Sequence, residues 1–536
     1  MHSPMSPRGK KGCSVRSTLL SLLWLSTSSF GQNLPPLPNP GTPAIEPGVE
    51  PNPVAAPVAV GSASTREVEL EGRVLQLEAM IQQLAGQVKR IEPAVALPPP
   101  NSASTPLGGA RAPGQGIPIV PAASDQYNMP AKAFNVPLRA AFGSGFELRS
   151  ADDEYIAQFH NVTQIDGRFY QQGGQNPVHD TFALPRQWFI ASGRLTKPYE
   201  YFLSAANGFD AFSILDVFLN VHYDDRLQFK IGRYKTPFTY EFYSLPIQGL
   251  ISPERSLFFN NFALNRQIGG QVWGQLFDKR VDYAAGIFGT SRNGTLDTSD
   301  GKNFLSFVNY RPFLKNEGSP LQFFQFGGSV DTGNDLSLPI PQTLRTIVPT
   351  TGNSVAGVPF LSFNNNVRSA GQHSFWDLHA AWYYKQLSVV GEWQSGFTDY
   401  ALATNLSART HLPVESFYVQ AGYFLTGETV SSRNVVNPIK PLKLKKGDIG
   451  LGAVEAFTRY NYLNVGNQVF TSGLADRNNW TNHLYTTDIG FNWYFTQNIK
   501  MVFQWEHAVF GDPVLFAPGR RQLTSDLFLA RFQIFF

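Results

Sequence analysis

Cysteine is nearly missing from this sequence: one residue in 536, at position 13. Charge is scarce as well. Asp, Glu, Lys and Arg make up 15% of the chain, against about a quarter in average usage, too little for an ordinary soluble surface of this size. Long apolar runs are absent. No stretch approaches the ~18 consecutive apolar residues of a membrane-crossing helix, which excludes a helical bundle in the bilayer. Neither sign of charge dominates, with 43 Lys+Arg against 40 Asp+Glu, so the balance gives no support to nucleic-acid binding. Nine histidines are scattered without an HExxH zinc motif or a GxSxG elbow. No enzyme, metal or other cofactor is therefore expected. What the chain does have is 42% hydrophobic residues, 13% of all residues being aromatic. Apolar content without apolar runs means apolar residues interleaved with polar ones, the pattern of alternating strands.

The N-terminus reads as a secretory signal over residues 1–31. Arg8, Lys10, Lys11 and Arg16 precede the apolar core Leu19-Leu20-Ser21-Leu22-Leu23-Trp24-Leu25, and Ser29-Phe30-Gly31 offers small residues for cleavage. Cys13 lies before the apolar core, so it is not a lipoprotein anchor and is lost with the signal. A mature chain without cysteine excludes thiol nucleophiles, disulfides and zinc–thiolate sites. Residues 32–65 and 93–139 are proline-rich and read as extended linkers. Between them, residues 66–92 carry Leu70, Val74, Leu77, Ile81, Leu84, Val88 and Ile91, an unbroken heptad seam. This predicts a short coiled-coil helix, with Arg73 and Glu78 at flanking positions. Just over three heptads is marginal alone, and Gly72 and Gly86 leave the number of strands in the coil open.

From residue 140 to 536 the period changes to two. Phe417, Val419, Ala421 and Tyr423 alternate with Tyr418, Gln420 and Gly422. Ile489, Phe491 and Trp493 alternate with Asp488, Gly490 and Asn492. Ile499, Met501, Phe503 and Trp505 alternate with Lys500, Val502, Gln504 and Glu506. One face is apolar and aromatic, the other polar. Tight turns are expected near Asp224-Asp225-Arg226, Asp278-Lys279-Arg280, Lys385-Gln386 and Gln497-Asn498, and long loops near 236–266, 290–303, 331–372 and 464–482. Strands of about ten residues, short turns on one side and long loops on the other are the pattern of an all-β transmembrane antiparallel barrel. The tally is about sixteen strands, and the chain ends on Phe536 within an alternating segment. A secreted soluble β protein, carbohydrate-binding given the nine tryptophans, is the alternative with the same alternation.

Several strands resemble the phosphate-selective porin O and P family of Gram-negative outer membranes. The residues are Gly145-Phe146-Glu147-Leu148 with Gln164-Ile165-Asp166-Gly167-Arg168-Phe169, then Ile231-Gly232-Arg233-Tyr234-Lys235-Thr236-Pro237-Phe238 with Glu241 and Glu254-Arg255. Phe424-Leu425-Thr426-Gly427-Glu428 follows, then Glu455, Arg459-Tyr460 and Tyr462-Leu463, then Gly490-Phe491-Asn492-Trp493-Tyr494, and finally Arg531-Phe532-Gln533. These strings stand in family order across most of residues 140–536. The resemblance implies a homotrimer of sixteen-stranded outer-membrane channels passing small anions, phosphate or polyphosphate among them, with arginine ladders and a lysine cluster at a constriction. The family's lysine cluster has no match among positions here.

Strand parity puts Lys230, Arg459, Lys500 and Arg531 on the polar face, with Glu455 and Glu506 beside them. A charge facing lipid at mid-membrane costs about 2–4 kcal/mol, so these six are candidate pore-lining and anion-selecting residues; mutual neutralisation between strands is the simpler reading. Arg233 and Lys235 carry apolar parity, which places them at the rim or at a break in the pleat near Pro237. The stretch Thr236–Arg266 is too long for a passive hairpin. It holds Glu241, Glu254, Arg255 and Arg266, and Phe258, Phe259 and Phe262 for anchoring, which makes it the candidate constriction loop and adds Arg255 and Arg266 to the pore set. The expected partners are outer-membrane lipid, small anions or hydrophilic solutes, and further copies of the chain. A structural anchor, its arm reaching the cell wall from the periplasm, is the competing function.

Overall fold

Sixteen antiparallel strands close into a barrel in the computed structural model, which describes residues 136–536 other than 144, 172–177, 210, 298, 340 and 349–356. The expected signal, first linker and heptad helix, and the second linker up to residue 135, lie outside the described residues. A hairpin comes first, β1 (Leu138–Phe142) and β2 (Phe146–Ser150). The wall begins with β3 (Ile156–Tyr170), β4 (Thr181–Thr196), β5 (Tyr199–Gly208), β6 (Ala211–Asp224), β7 (Leu227–Lys235) and β8 (Arg266–Leu276). It continues with β9 (Val281–Phe288), β10 (Asn303–Tyr310) and β11 (Phe323–Ser337). A loop ribbon, β12 (Thr343–Arg345) with β13 (Pro359–Ser362), intervenes before β14 (Val367–Tyr384), β15 (Leu387–Leu402) and β16 (Asn405–Phe424). A second ribbon, β17 (Lys443–Lys445) with β18 (Asp448–Gly450), precedes β19 (Ala453–Val465), β20 (His483–Tyr494), β21 (Ile499–Ala517) and β22 (Arg520–Phe535).

Each wall strand pairs with the next, and β22 returns to β3, from Leu527 opposite Tyr170 to Phe535 opposite Val162. Below that seam β2 takes over the same edge of β3, Phe146 opposite Phe159. Phe536 and Asn161 exchange backbone hydrogen bonds of 2.8 and 3.1 Å where the two neighbours meet.

The distribution of side chains is the inverse of a soluble sandwich. Ile489 and Phe491 are 51% and 41% exposed, while Asp488 and Asn492 on either side of them are fully buried. The apolar parity faces outward and the polar parity faces the lumen, which is stable only where lipid covers the outside. β14 to β16 and β21 to β22 have 16 to 20 residues each, longer than the ~9–11 that cross a bilayer. These strands therefore extend beyond the membrane.

The four anticipated tight turns lie at one end, together with the start of β2 and the end of β22. The expected separation of short turns from long loops has one large departure. Residues 425–452 join β16 to β19 at the short-turn end. Pro438, Pro441 and the positive-φ glycines 427, 447 and 452 stop the strands from continuing, and part of this connection folds back into the lumen.

Candidate functional site

Residues 236–265, between β7 and β8, run inside the barrel. Pro237, Pro246 and Pro253 prevent a regular strand, leaving helical turns at Tyr240–Tyr243, Ile247–Gly249 and Leu257–Phe262. Phe238, Phe242, Leu250, Ile251, Leu257 and Phe258 are all buried, which an exposed loop could not achieve. Wall side chains hold the backbone of this segment. Glu392 of β15 accepts the N–H groups of Tyr240 and Glu241 at 3.1 and 2.6 Å, and the Tyr418 hydroxyl donates to the same carboxylate at 2.6 Å. Asn492 donates to the Ile251 carbonyl at 2.9 Å and Arg531 to that of Pro253 at 2.6 Å. Arg459 donates to the Glu254 carbonyl. Lys500 Nζ lies 3.3 and 3.5 Å from the carbonyls of Gln248 and Leu250.

The Glu254 carboxylate reaches back among three guanidinium groups. Arg186 is at 2.7 Å, Arg168 at 3.6 Å, and Arg531 in direct contact. Arg531 is also held by Asp166 at 2.7 Å, and Arg459 by Asp488 at 2.7 Å. Five of the pore candidates therefore lie buried beneath or beside the segment: Arg459, Lys500 and Arg531 bonded to its backbone, Glu455 near Ile251, and Glu506 opposite Asp488 on the adjoining strand. Glu455 is bound by Arg433 at 2.6 and 3.1 Å. Arg433 comes from the inserted 425–452 connection, and its Nε donates to the Gly249 carbonyl at 2.9 Å.

Across from these anchors, the segment faces β4, β7 and β8. A cavity of about 30 Å³, room for a water molecule or two, lies between them. Arg186, Lys235, Arg255, Arg266 and Arg292 line it, with no Asp or Glu among its lining residues. Arg186 and Arg266 have carboxylate partners behind them, Glu254 at 2.7 Å and Asp216 at 3.0 Å. Lys235, Arg255 and Arg292 have none within ion-pair reach among the described residues. Lys235 donates to the Phe242 carbonyl at 3.0 Å. Arg255 lies over the rings of Phe242 and Phe259, at 5.0 and 5.2 Å. One terminal nitrogen of Arg292 is buried without a hydrogen bond. Converging cations between low-dielectric walls focus a positive field on this cavity.

Arg255 and Arg266, expected in the pore, both line this small cavity. Lys235 lines the lumen beside Tyr234, so the alternation does break next to Pro237. Arg233 instead bonds the carbonyls of Asn293 and Gly294 in the loop after β9, at 2.7 and 3.2 Å. Three cations that line the two cavities, Arg186, Arg292 and Arg433, lay outside the sequence reading. Arg186 bears the signal that marked Lys230, a lone cation in an alternating strand, but Pro185 and the register shift between Gln164 and Asp166 obscure its parity. Arg292 and Arg433 lie in irregular loops where parity carries no information.

The family described as phosphate-selective porin O and P matches residues 160–508, from β3 into β21. The chain belongs to the phosphate-selective porin O and P family. This porin is an outer-membrane channel-type protein. One curated relative, an uncharacterized protein of Caulobacter vibrioides, is 33% identical over 92 residues, 16% of the porin and 18% of that protein. The porin thus spans less than a fifth of that relative's length. Among solved structures, Salmonella typhi OmpF in complex with daunomycin has a TM-score of 0.44 at 9% identity, covering 74% of the porin and all of that chain. The anion-selective porin of Comamonas acidovorans has 0.43 at 10% identity, covering 72% and all of that chain. The trimer form of Vibrio cholerae OmpT has 0.42 at 8%, again over 72% and the whole chain. The porin's sixth strand-borne candidate, Lys230, lies apart from that small cavity and lines a larger one toward the short-turn end.

Proposed function

We propose that this porin is a diffusion channel for small anions, phosphate among the candidates, selected at the passage between residues 236–265 and β4, β7 and β8. One observation carries the reading: five cations line that passage and no carboxylate does. Three of the five have no ion-pair partner among the described residues, so their charge is available to a passing solute. The channel works as a homotrimer whose apolar outer walls meet lipid and one another, with the short-turn end and the N-terminal arm in the periplasm. The arm's heptad helix brings neighbouring arms together or reaches the cell wall.

The test is the reversal potential of the purified porin in a KCl gradient, with Arg255→Gln and Arg292→Gln combined. Neither residue faces lipid, and neither has a carboxylate partner among the described residues, so assembly should persist. Anion preference should fall at low salt, and the difference should shrink near 1 M, where the screening length is about 3 Å. Wild-type porin with no anion preference would reject the reading. An unchanged potential in the assembled variant would move the filter elsewhere.

A further inference from the structure

On the short-turn side of the constriction the lumen widens to a cavity of about 790 Å³. Its roof is the inward segment around Tyr240 and Tyr243–Gln248, and its floor is Ser432–Val435 of the inserted connection. The volume is that of a site for an organic molecule, within the ~300–1,000 Å³ usual for ligand pockets.

The wall of this cavity is aromatic on one side. Phe202 stacks on Phe218 with ring centres 5.2 Å apart and planes within 5°, and Phe218 meets Tyr234 edge-on at 5.5 Å. Trp273 stands nearby, its indole N–H tied to Asn220 at 2.9 Å. The Lys230 ammonium sits among these rings, 4.6 Å from Phe218, 5.2 Å from Tyr234 and 4.8 Å from Trp273. Among the described residues it makes no hydrogen bond and no ion pair. The neighbouring carboxylates are already engaged. Asp216 is bound by Arg266 at 3.0 Å and by Ser204 at 2.7 Å. Glu200 is bound by Asn220 at 2.9 Å and His222 at 3.0 Å. A cation held by ring faces, with its N–H donors unused and opening on a cavity, can take a carboxylate oxygen without displacing any protein partner.

We infer that this cavity is a subsite for aromatic carboxylates, the carboxylate on Lys230 and the ring against the face made by Phe202, Phe218 and Trp273. The inference rests on the anion-channel reading above. A bare inorganic anion would use Lys230 but leave the ring wall without a contact. An organic cation would be repelled by the Lys230 ammonium and would meet the cationic constriction above. A planar organic anion uses both features at once.

The experiment uses the full-length porin in planar bilayers. After the reversal potential in KCl is recorded, benzoate, acetate or benzyl alcohol is added to the short-turn side and the half-blocking concentration of the chloride current is read. Benzoate should block at a concentration about tenfold below acetate, the size of one good aromatic contact, and benzyl alcohol should not block. Lys230→Gln should remove the benzoate block, and Phe218→Leu, which keeps apolar bulk but loses the ring face, should bring benzoate close to acetate. If Lys230→Gln fails to assemble, Phe218→Leu carries the test. Equal block by benzoate and acetate, or benzoate block unchanged in the assembled variants, overturns the subsite. Anion preference without benzoate discrimination overturns the subsite alone, and benzoate discrimination in a channel without anion preference overturns the anion-channel reading alone.

Discussion

Replacing Glu254 by Gln tests whether buried charge, rather than packing, fixes the constriction. The side chain is 3% exposed among Arg186, Arg168 and Arg531, and glutamine keeps its shape while removing its charge. Breaking a buried ion pair by neutralising one partner costs about 3–5 kcal/mol. The lower end applies, because Asp166 still compensates Arg168 and Arg531, at 2.8 and 2.7 Å, and the amide oxygen still accepts one hydrogen bond. About 3 kcal/mol is roughly a hundredfold in the ratio of docked to undocked Pro253–Arg255. Glu392, Asn492 and Lys500 continue to hold the rest of the segment, so the loosening is local. Arg186 loses the one carboxylate it pairs with among the described residues and faces the passage more freely. Single-channel recordings of the variant should show noisier openings, higher conductance and stronger anion preference than wild type. An assembled Glu254→Gln channel with unchanged conductance, noise and reversal potential would refute the reasoning. The same network fixes a pH dependence. Burial alone would raise the Glu254 carboxyl, but Arg186 and Arg531 outweigh it and hold the group well below its ordinary 4.5. A carboxylate with a lowered folded value contributes stability above its unfolded value and loses it only as pH falls through the folded one. Acidification from about pH 7 to about pH 4 should therefore leave this anchor intact, as read from steady conductance.

Deleting residues 32–135 behind the signal should leave a barrel that migrates as a folded, heat-modifiable band in SDS and still conducts; loss of all folded barrel would show that the wall depends on the arm. Changing Ile81 and Leu84 to Asp should make the isolated heptad peptide monomeric by sedimentation, and an unchanged profile would count against a coiled coil. Replacing residues 428–450 with a short turn, together with Glu455→Gln so that no carboxylate is stranded, should raise single-channel conductance by removing the floor of the wide cavity. An unchanged conductance would mean that Ser432–Val435 does not obstruct the exit.

Much of the barrel was legible because its period is two and its faces differ in chemistry. Asp488 and Asn492 inside, with Ile489 and Phe491 outside, can be read directly from the order of residues. The same reading identified residues 236–266 by length and apolar content. It stopped short at what polar parity means inside a filled lumen. Parity puts Arg459, Lys500 and Arg531 on the inner face, but it cannot distinguish a side chain facing water from one bonded to a segment lying across that face. That distinction depends on contacts such as Arg531 with the Pro253 carbonyl, between residues far apart in the chain. Arg292 and Arg433 reach the lumen from loops, where no period exists to be read.

The anchors of the inward segment have a consequence for the order in which the channel is built. Glu392, Arg459, Asn492, Lys500 and Arg531 follow the backbone groups they bind by 151 to 278 residues. Such distant contacts carry a large entropic cost of closure before they stabilise anything. When the first eight wall strands are present, residues 236–265 have a path but few of their acceptors and donors. Docking becomes possible only as β15 to β22 arrive, and Arg531 supplies its share from the strand that seals the wall. The narrow passage is thus completed after the barrel around it. An assembly that stalls before the last strands, or a variant that slows closure, would pass through a wide and unselective pore, a hazard to the envelope that favours rapid sealing of β22 against β3.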